Sequence, residues 1–229
     1  MEVVNIIIPV KDEQEGLEFL LHEYEGIPSN DSYDITFTFV IDGRTSDSSK
    51  YIARKFSDNI IDQEETHGKG AGIKQAIKSW KTSPTKYVIF MDADGSYSFN
   101  EIPNIIKNLR GSFDVVSGSR FLNKQNNLEG MSDLHIFGNK FLSKVSSFRN
   151  KKKITDLCTG IWGFKNEALK KLEIKSNGFD LEAELMGKTR KLGLNHKEIE
   201  IKWSPRKGGK SKLRSFKDGF IILLRIIRT

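Results

Sequence analysis

The chain reads as an α/β protein built on one doubly wound, mostly parallel sheet flanked by helices, and three features carry that reading. Apolar runs of strand length alternate with helix-spaced stretches from Val3 to Ser117. No linker rich in Pro, Gly or Ser and no internal repeat breaks the alternation, so a single domain accounts for it. The 229 residues, 37% hydrophobic and 29% charged, suit a folded domain and exclude collagen-like, disordered and disulfide-scaffold classes.

Val3 to Val10 is a near-continuous apolar run, as expected of a strand buried on both faces of a parallel sheet. Glu15 to Tyr24 then has helical spacing, closing a first β-α unit. Tyr33 to Ile41 repeats the strand signal, Asp47 to Phe56 the helical one, and Asn59 to Asp62 is a short third strand. A helix over Lys69 to Trp80, a fourth strand at Tyr87 to Met91, a helix over Glu101 to Leu109 and a fifth strand at Phe113 to Ser117 follow. After Arg120 the rhythm changes to a polar loop, Asn123 to Asp133, then helical segments, the stretch Asp156 to Phe164 and a helix around Leu181 to Leu192. Ser215 to Arg228 reads as a closing amphipathic helix, which divides the chain into a domain at 1–213 and a basic helical extension at 214–229.

Charge is unevenly spread. The net charge is +7, from 37 basic and 30 acidic residues. From Trp203 to Thr229 eight basic residues face the single acid Asp218, so this segment carries the whole excess and the first 202 residues are neutral. A general nucleic-acid coat is therefore not what the charge reports, and a nucleic-acid-binding module, the alternative from another class, lacks an aromatic stacking platform or reading helix. The basic device suits small-molecule phosphates or an anionic membrane surface; a solvated tail is the plain alternative. The lone Cys158 can form no internal disulfide and fits a reducing compartment. The first residues read as a strand rather than a signal peptide, and no stretch reaches the roughly 18 apolar residues of a membrane span. A soluble or peripheral protein is expected.

The sharpest motif is Asp92-Ala93-Asp94, directly after the fourth strand. The period of two in a strand sends both carboxylates to one side, at the sheet edge where ligands of open α/β sheets bind. Two hard oxygen donors there suit Mg²⁺ or Mn²⁺ shared with a diphosphate; a solvated turn is the alternative. Gly68-Lys69-Gly70-Ala71-Gly72 opens a helix and either brings amides to a phosphate or sugar or only permits close helix packing. It matches neither the Walker pattern nor the dinucleotide fingerprint.

Together these residues resemble family 2 glycosyltransferases. Pro9-Val10-Lys11-Asp12-Glu13, Asp42-Gly43 with Asp47, Gly68-Lys69-Gly70, Asp92-Ala93-Asp94-Gly95, Gly118-Ser119-Arg120, Asn139, Thr155-Asp156 with Thr159-Gly160, and Arg206 with Gly209-Lys210-Ser211-Lys212-Leu213 occur in that family's order. Within it the chain looks most like the dolichyl-phosphate sugar synthases. The resemblance implies a GT-A fold, a nucleotide-diphosphate sugar donor, a divalent metal and an inverting transfer of a hexose. By position it implies that Pro9, Lys11 and Glu13 lie around the base, that Asp42 contacts the nucleoside, and that Asp92 and Asp94 hold metal and diphosphate. It further assigns Arg120, Arg206, Ser211 and Lys212 to donor or lipid phosphates, with Lys69 among the donor-binding residues. Lys11 and Ile41 depart from the family's usual residues, which leaves the base open between GDP and UDP.

The implied chemistry needs a stabilised leaving diphosphate, with Asp94 and Arg206 as catalytic residues. A lipid phosphate acceptor attacks as an anion, whereas a saccharide hydroxyl, the alternative acceptor, needs a base. Asp156 is the candidate for that base, or else it ties a loop to backbone amides. Glu182 and Glu184, two apart on a helix, fall on different faces, so at least one is expected at the surface. His67, His135 and His196 have no metal-ligand spacing and are expected to be structural or at the surface. Phe216, Phe220, Leu223, Leu224 and Ile227 form a stripe on the last helix, which lies on a membrane or packs against protein. The expected partners are thus a GDP- or UDP-hexose, a polyprenyl or dolichyl phosphate and a membrane surface, with no nucleic acid, at the cytosolic face.

Overall fold

The computed structural model describes residues 1–27, 32–63, 67–79, 85–122, 128, 130–212 and 215–229. The expected helix end at Trp80, most of the polar loop after Leu122, and Leu213 and Arg214 at the expected domain boundary lie outside the described residues. Among the described residues seven strands form one sheet in the order β3-β2-β1-β4-β6-β5-β7. They are β1 (Glu2–Val10), β2 (Tyr33–Asp42), β3 (Ile60–Gln63), β4 (Thr85–Phe90), β5 (Val115–Ser119), β6 (Trp162–Lys165) and β7 (His196–Glu200). All pairings are parallel except those of β6, which runs antiparallel to both β4 and β5. The first five strands fall within a few residues of their expected positions. β6 lies in the stretch 156–164 that had no assigned structure, and β7, whose sequence His-Lys-Glu-Ile-Glu carries one aliphatic residue, had no strand signal.

Among the described residues eight α-helices cover the two faces: α1 (Gln14–Glu25), α2 (Ser49–Phe56), α3 (Lys69–Ser79), α4 (Ile102–Arg110), α5 (Asp133–Asn150), α6 (Asn166–Lys171), α7 (Leu181–Lys191) and α8 (Ser215–Arg228). The alternation of β1 sorts its side chains. Val4, Ile6, Ile8 and Val10 join Leu17 and Leu20 of α1, Ile52 of α2 and Ile102, Ile105 and Leu109 of α4 in one buried cluster. Ile7 points the other way, into a second cluster with Ile73 of α3, Leu142 of α5, Leu169 of α6, Leu185 of α7 and Ile222 and Ile226 of α8. The sheet thus has a core on each side, and its parallel strands β1, β2 and β4 end together at one edge.

α8 is apolar on more than one face. The residues that bury it are Ile222 and Ile226, whereas Phe216, Phe220 and Ile227 of the expected stripe are exposed and Leu223 and Leu224 are half-buried. Among the described residues no helix is long and apolar enough to cross a membrane.

Candidate active site

Three strands deliver the site. At the end of β1 the chain turns through Lys11-Asp12-Glu13 into α1; β2 ends on Asp42; β4 runs out into Asp92 and Asp94. A cavity of about 800 Å³ opens over this edge. Pro9, Lys11, Glu13, Asp42, Lys69, Asp92, Asp94, Arg120, Arg206, Ser211 and Lys212 all line it. Asp156 does not.

Asp92 and Asp94 differ in their partners. Asp92 Oδ1 lies 2.7 Å from the Lys69 ammonium, which is also 2.7 Å from Glu182 Oε1. Burial works to lower the pKa of Lys69, but attraction to the two carboxylates prevails and holds it well above the ordinary lysine range, so the ammonium stays charged. Asp94 Oδ1 accepts from the Ser96 amide and hydroxyl at 3.0 and 2.6 Å, and its Oδ2 is 3.6 Å from Arg206 Nη1. Gly160 backs Asp92: a Cβ there would stand 1.9 Å from Asp92 Oδ2, so only glycine permits this approach. Among the described residues no group of three metal-binding side chains occurs. The two aspartates, 31% and 19% exposed, still fit a divalent cation that takes its other ligands from diphosphate oxygens and water, the donor set that Mg²⁺ and Mn²⁺ favour.

The glycine-rich start of α3 is explained by packing. A Cβ on Gly70 would lie 2.6 Å from the Ser176 carbonyl oxygen, while Lys69 between the glycines reaches the carboxylates. Asp42 is held by Arg44 through Nε at 2.9 Å and Nη2 at 2.8 Å, with His67 Nδ1 3.3 Å away. Burial would raise the pKa of Asp42, yet the Arg44 hydrogen bonds outweigh it and hold the carboxyl well below the usual carboxylate range.

Asp156 is fully buried, and both its oxygens are engaged. Oδ2 accepts from Arg120 N and Nε at 3.0 and 2.7 Å, and Oδ1 from Arg120 Nη2 and Asn139 Nδ2 at 2.7 and 2.6 Å. This is the loop-tying arrangement, and it aims the guanidinium of Arg120 while keeping the carboxylate out of the cavity. Both Glu182 and Glu184 are buried, against the expectation of at least one at the surface. Glu182 meets Lys69, and Glu184 caps the amides of Lys175 and Ser176 and pairs with Lys188. Sequence reading also missed Arg44 and Tyr97. Tyr97 Oη accepts from Gly160 N at 2.7 Å, and burial pushes its pKa up to about 12. His135 lines the cavity, and His196 is buried on the edge strand β7.

A sequence model of glycosyl transferase family 2 matches residues 5–173, nearly three quarters of the chain. The chain belongs to that family. The glycosyltransferase is 25% identical over 230 residues to glycosyltransferase AglJ of Haloferax volcanii, covering 99% of this chain and 72% of the relative. It is 29% identical over 189 residues to a dolichyl-phosphate hexose transferase of the same organism, covering 82% and 78%. The solved glucosyl-3-phosphoglycerate synthase of Mycobacterium tuberculosis, in complex with Mn²⁺, UDP-glucose and phosphoglyceric acid, superposes with a TM-score of 0.75 at 12% identity, over 99% of this chain and 79% of that one. At that identity the likeness speaks for the fold, and the fold is GT-A.

Proposed function

We propose that this glycosyltransferase moves a hexose, with inversion, from a GDP- or UDP-hexose to a polyprenyl or dolichyl phosphate at the cytosolic face of a membrane. The observation that carries the reading is the continuity of the cavity. From Asp92, Asp94 and Arg206 it runs on to Leu134, Phe137 and Phe141 of α5 and Phe216, Phe220 and Leu223 of α8. Phe137 is 71% and Phe216 82% exposed, a costly display of apolar surface to water unless a lipid phase covers it. Lys140, Lys144, Lys217 and Arg228 stand exposed on the same two helices, the composition of an anionic-membrane surface element. The likeness to a dolichyl-phosphate hexose transferase supports the acceptor class.

In this reading Arg206 and Lys212 take up the diphosphate charge that grows as the anomeric carbon becomes cationic, and Lys69 keeps Asp92 oriented. Arg120, aimed by Asp156, offers a fixed cation to the phosphate of the acceptor. A Mg²⁺ or Mn²⁺ held by Asp92 and Asp94 would supply Lewis acidity toward the leaving diphosphate. A lipid phosphate, with a second pKa near ~6, is largely ionised at neutral pH and attacks without a protein base, so the commitment of Asp156 elsewhere is no obstacle.

The test offers the protein GDP- and UDP-hexoses with polyprenyl phosphate in anionic vesicles and either metal. A lipid-linked hexose is expected, lost on chelation and in Asp94→Asn at unchanged melting temperature. Phe216→Asp with Phe220→Asp is expected to release the protein from the vesicles. Transfer to a saccharide hydroxyl with none to the lipid phosphate would overturn the acceptor, and vesicle binding unaffected by the paired aspartates would overturn the role of α8.

A further inference from the structure

Glu13 holds two cations at once. Its Oε1 accepts from Arg206 Nη2 at 2.8 Å and from Lys212 Nζ at 2.7 Å, and its Oε2 accepts from Arg206 Nη2 at 2.6 Å. Its side chain is 12% exposed, so these bonds are sheltered from water. Both cations have a second anchor beside it. Arg206 Nε donates to the Gly208 carbonyl at 2.7 Å, and Lys212 Nζ donates to the Asp12 carbonyl at 2.8 Å. Asp12 reaches that position with φ at 47°, a left-handed conformation that costs energy in any residue but glycine and that its side chain secures through Ser46 N at 2.7 Å. The loop 204–212 is also joined to the metal-motif strand end, through Ser204 N to Ser96 O at 3.2 Å and Lys207 N to Asp94 O at 2.9 Å.

Two cations brought to one wall of a cavity repel each other unless an acid lies between them. A base-binding role drawn from the first-strand motif does not account for a carboxylate whose two oxygens are both spent on loop cations. We infer that Glu13 is a positioning residue: it preassembles Arg206 and Lys212 as an anion clamp before a diphosphate arrives. The inference rests on the reading of the cavity as a nucleotide-sugar site. With the clamp preassembled, the donor meets cations whose loop is already ordered; without it, ordering the loop is charged against donor binding. Glutamine cannot replace the acid, because its amide offers one acceptor and turns an NH₂ group toward a cation.

The experiment uses the full chain with Glu13→Gln, Lys212→Met and the double variant, each first shown to be folded by circular-dichroism melting. Should Glu13→Gln not fold, Glu13→Asp, too short to reach both cations, takes its place. Trypsin cleavage within 206–212 without ligand is expected to be about tenfold faster in Glu13→Gln than in the natural chain, and the effect is expected to shrink in the Lys212→Met background. The loss of turnover is expected to fall on KM for the donor, about tenfold or more, rather than on kcat. Equal cleavage rates in the Glu13→Gln and natural chains would overturn the inference, as would a fall in kcat at unchanged KM, which would assign Glu13 to the transfer step itself. A natural chain that binds neither UDP nor GDP with Mn²⁺ would overturn the donor reading instead, and the ligand-free cleavage comparison would still decide the clamp.

Discussion

The ammonium of Lys69 stands 2.7 Å from Asp92 Oδ1, and through it the first aspartate of the Asp-Ala-Asp motif is tied to Glu182 at the start of α7. One cation between two acids keeps the acids from repelling each other in a site that is 12% exposed at the lysine. Lys69→Met is therefore expected to destabilise the fold by about 3 kcal/mol, the lower end for breaking a buried pair because Asp92 is partly in water. Adding Glu182→Gln is expected to recover a large part of that loss. Urea denaturation of the single and double variants measures it, and a loss below about 1 kcal/mol in Lys69→Met would mean that water already screens the pair.

Gly160 sets the position of Asp92. In Gly160→Ala the new methyl has to displace Asp92 Oδ2, from which it would stand 1.9 Å, or the Tyr97 ring at 2.8 Å. On the proposed role of Asp92 in holding a metal, affinity for Mn²⁺ with nucleoside diphosphate is expected to fall about 10- to 100-fold, as for changes behind a metal ligand. Gly138→Ala, with nothing within 4 Å, is the matched control and is expected to bind normally. Titration calorimetry compares the two.

Asp156→Asn distinguishes a positioning acid from a general base. The carboxylate accepts four hydrogen bonds, three of them from Arg120 and one from Asn139, whereas an amide offers one acceptor oxygen and would direct its own NH₂ at donors. Arg120, 11% exposed, would also lose its counter-charge. A loss of about 3 kcal/mol in stability is expected, with activity falling as Arg120 drifts. A variant as stable as the natural protein but about a thousandfold slower in single turnover would instead mark Asp156 as the base of a hydroxyl acceptor.

His196 couples stability to pH. It is buried on β7, bonded through Nε2 to Ser117 Oγ at 2.9 Å and stacked on Trp162. Burial, with the Lys152 charge nearby, lowers its pKa to about 3, against about 6.5 in an unfolded chain. The unfolded chain thus takes up the proton first. Stability from this residue is complete above about pH 6.5 and is lost as pH falls from there toward about 3, at up to ~1.4 kcal/mol per pH unit. His196→Phe, which preserves the stack, is expected to be less stable at pH 7 by about 1 kcal/mol for the lost hydrogen bond and to show a shallower decline between pH 6.5 and 5. Denaturant melts of both proteins at those two pH values measure the difference, and parallel declines would count against the buried neutral ring.

What the sequence determined by itself was everything that depends on short-range pattern. The near-continuous apolar run of β1 reads as a doubly buried strand, and the period of two at Asp92 and Asp94 places two acids together at a strand end. The ordered series of motifs from Pro9 to Lys212 named the family without any contact being known. What only the tertiary structure decided were pairings across long separations and the choice between faces of one helix. β6 is four residues long and β7 has three charged residues among its five; each is a strand because sheet neighbours supply its hydrogen bonds, a non-local term that local pattern does not carry. Glu182 and Glu184 are both buried because Lys69 lies 113 residues from the first and the Ser176 amide faces the second, so helix periodicity alone misjudged them. On α8, apolar residues occupy more than one face, and packing against α5 and α7 selected Ile222 and Ile226 for the core and left Phe216 and Phe220 at the mouth of the cavity. Asp156, legible as a motif residue, became the partner of Arg120 because a carboxylate excluded from water is stable only beside a cation and hydrogen-bond donors, and the fold brings both to it.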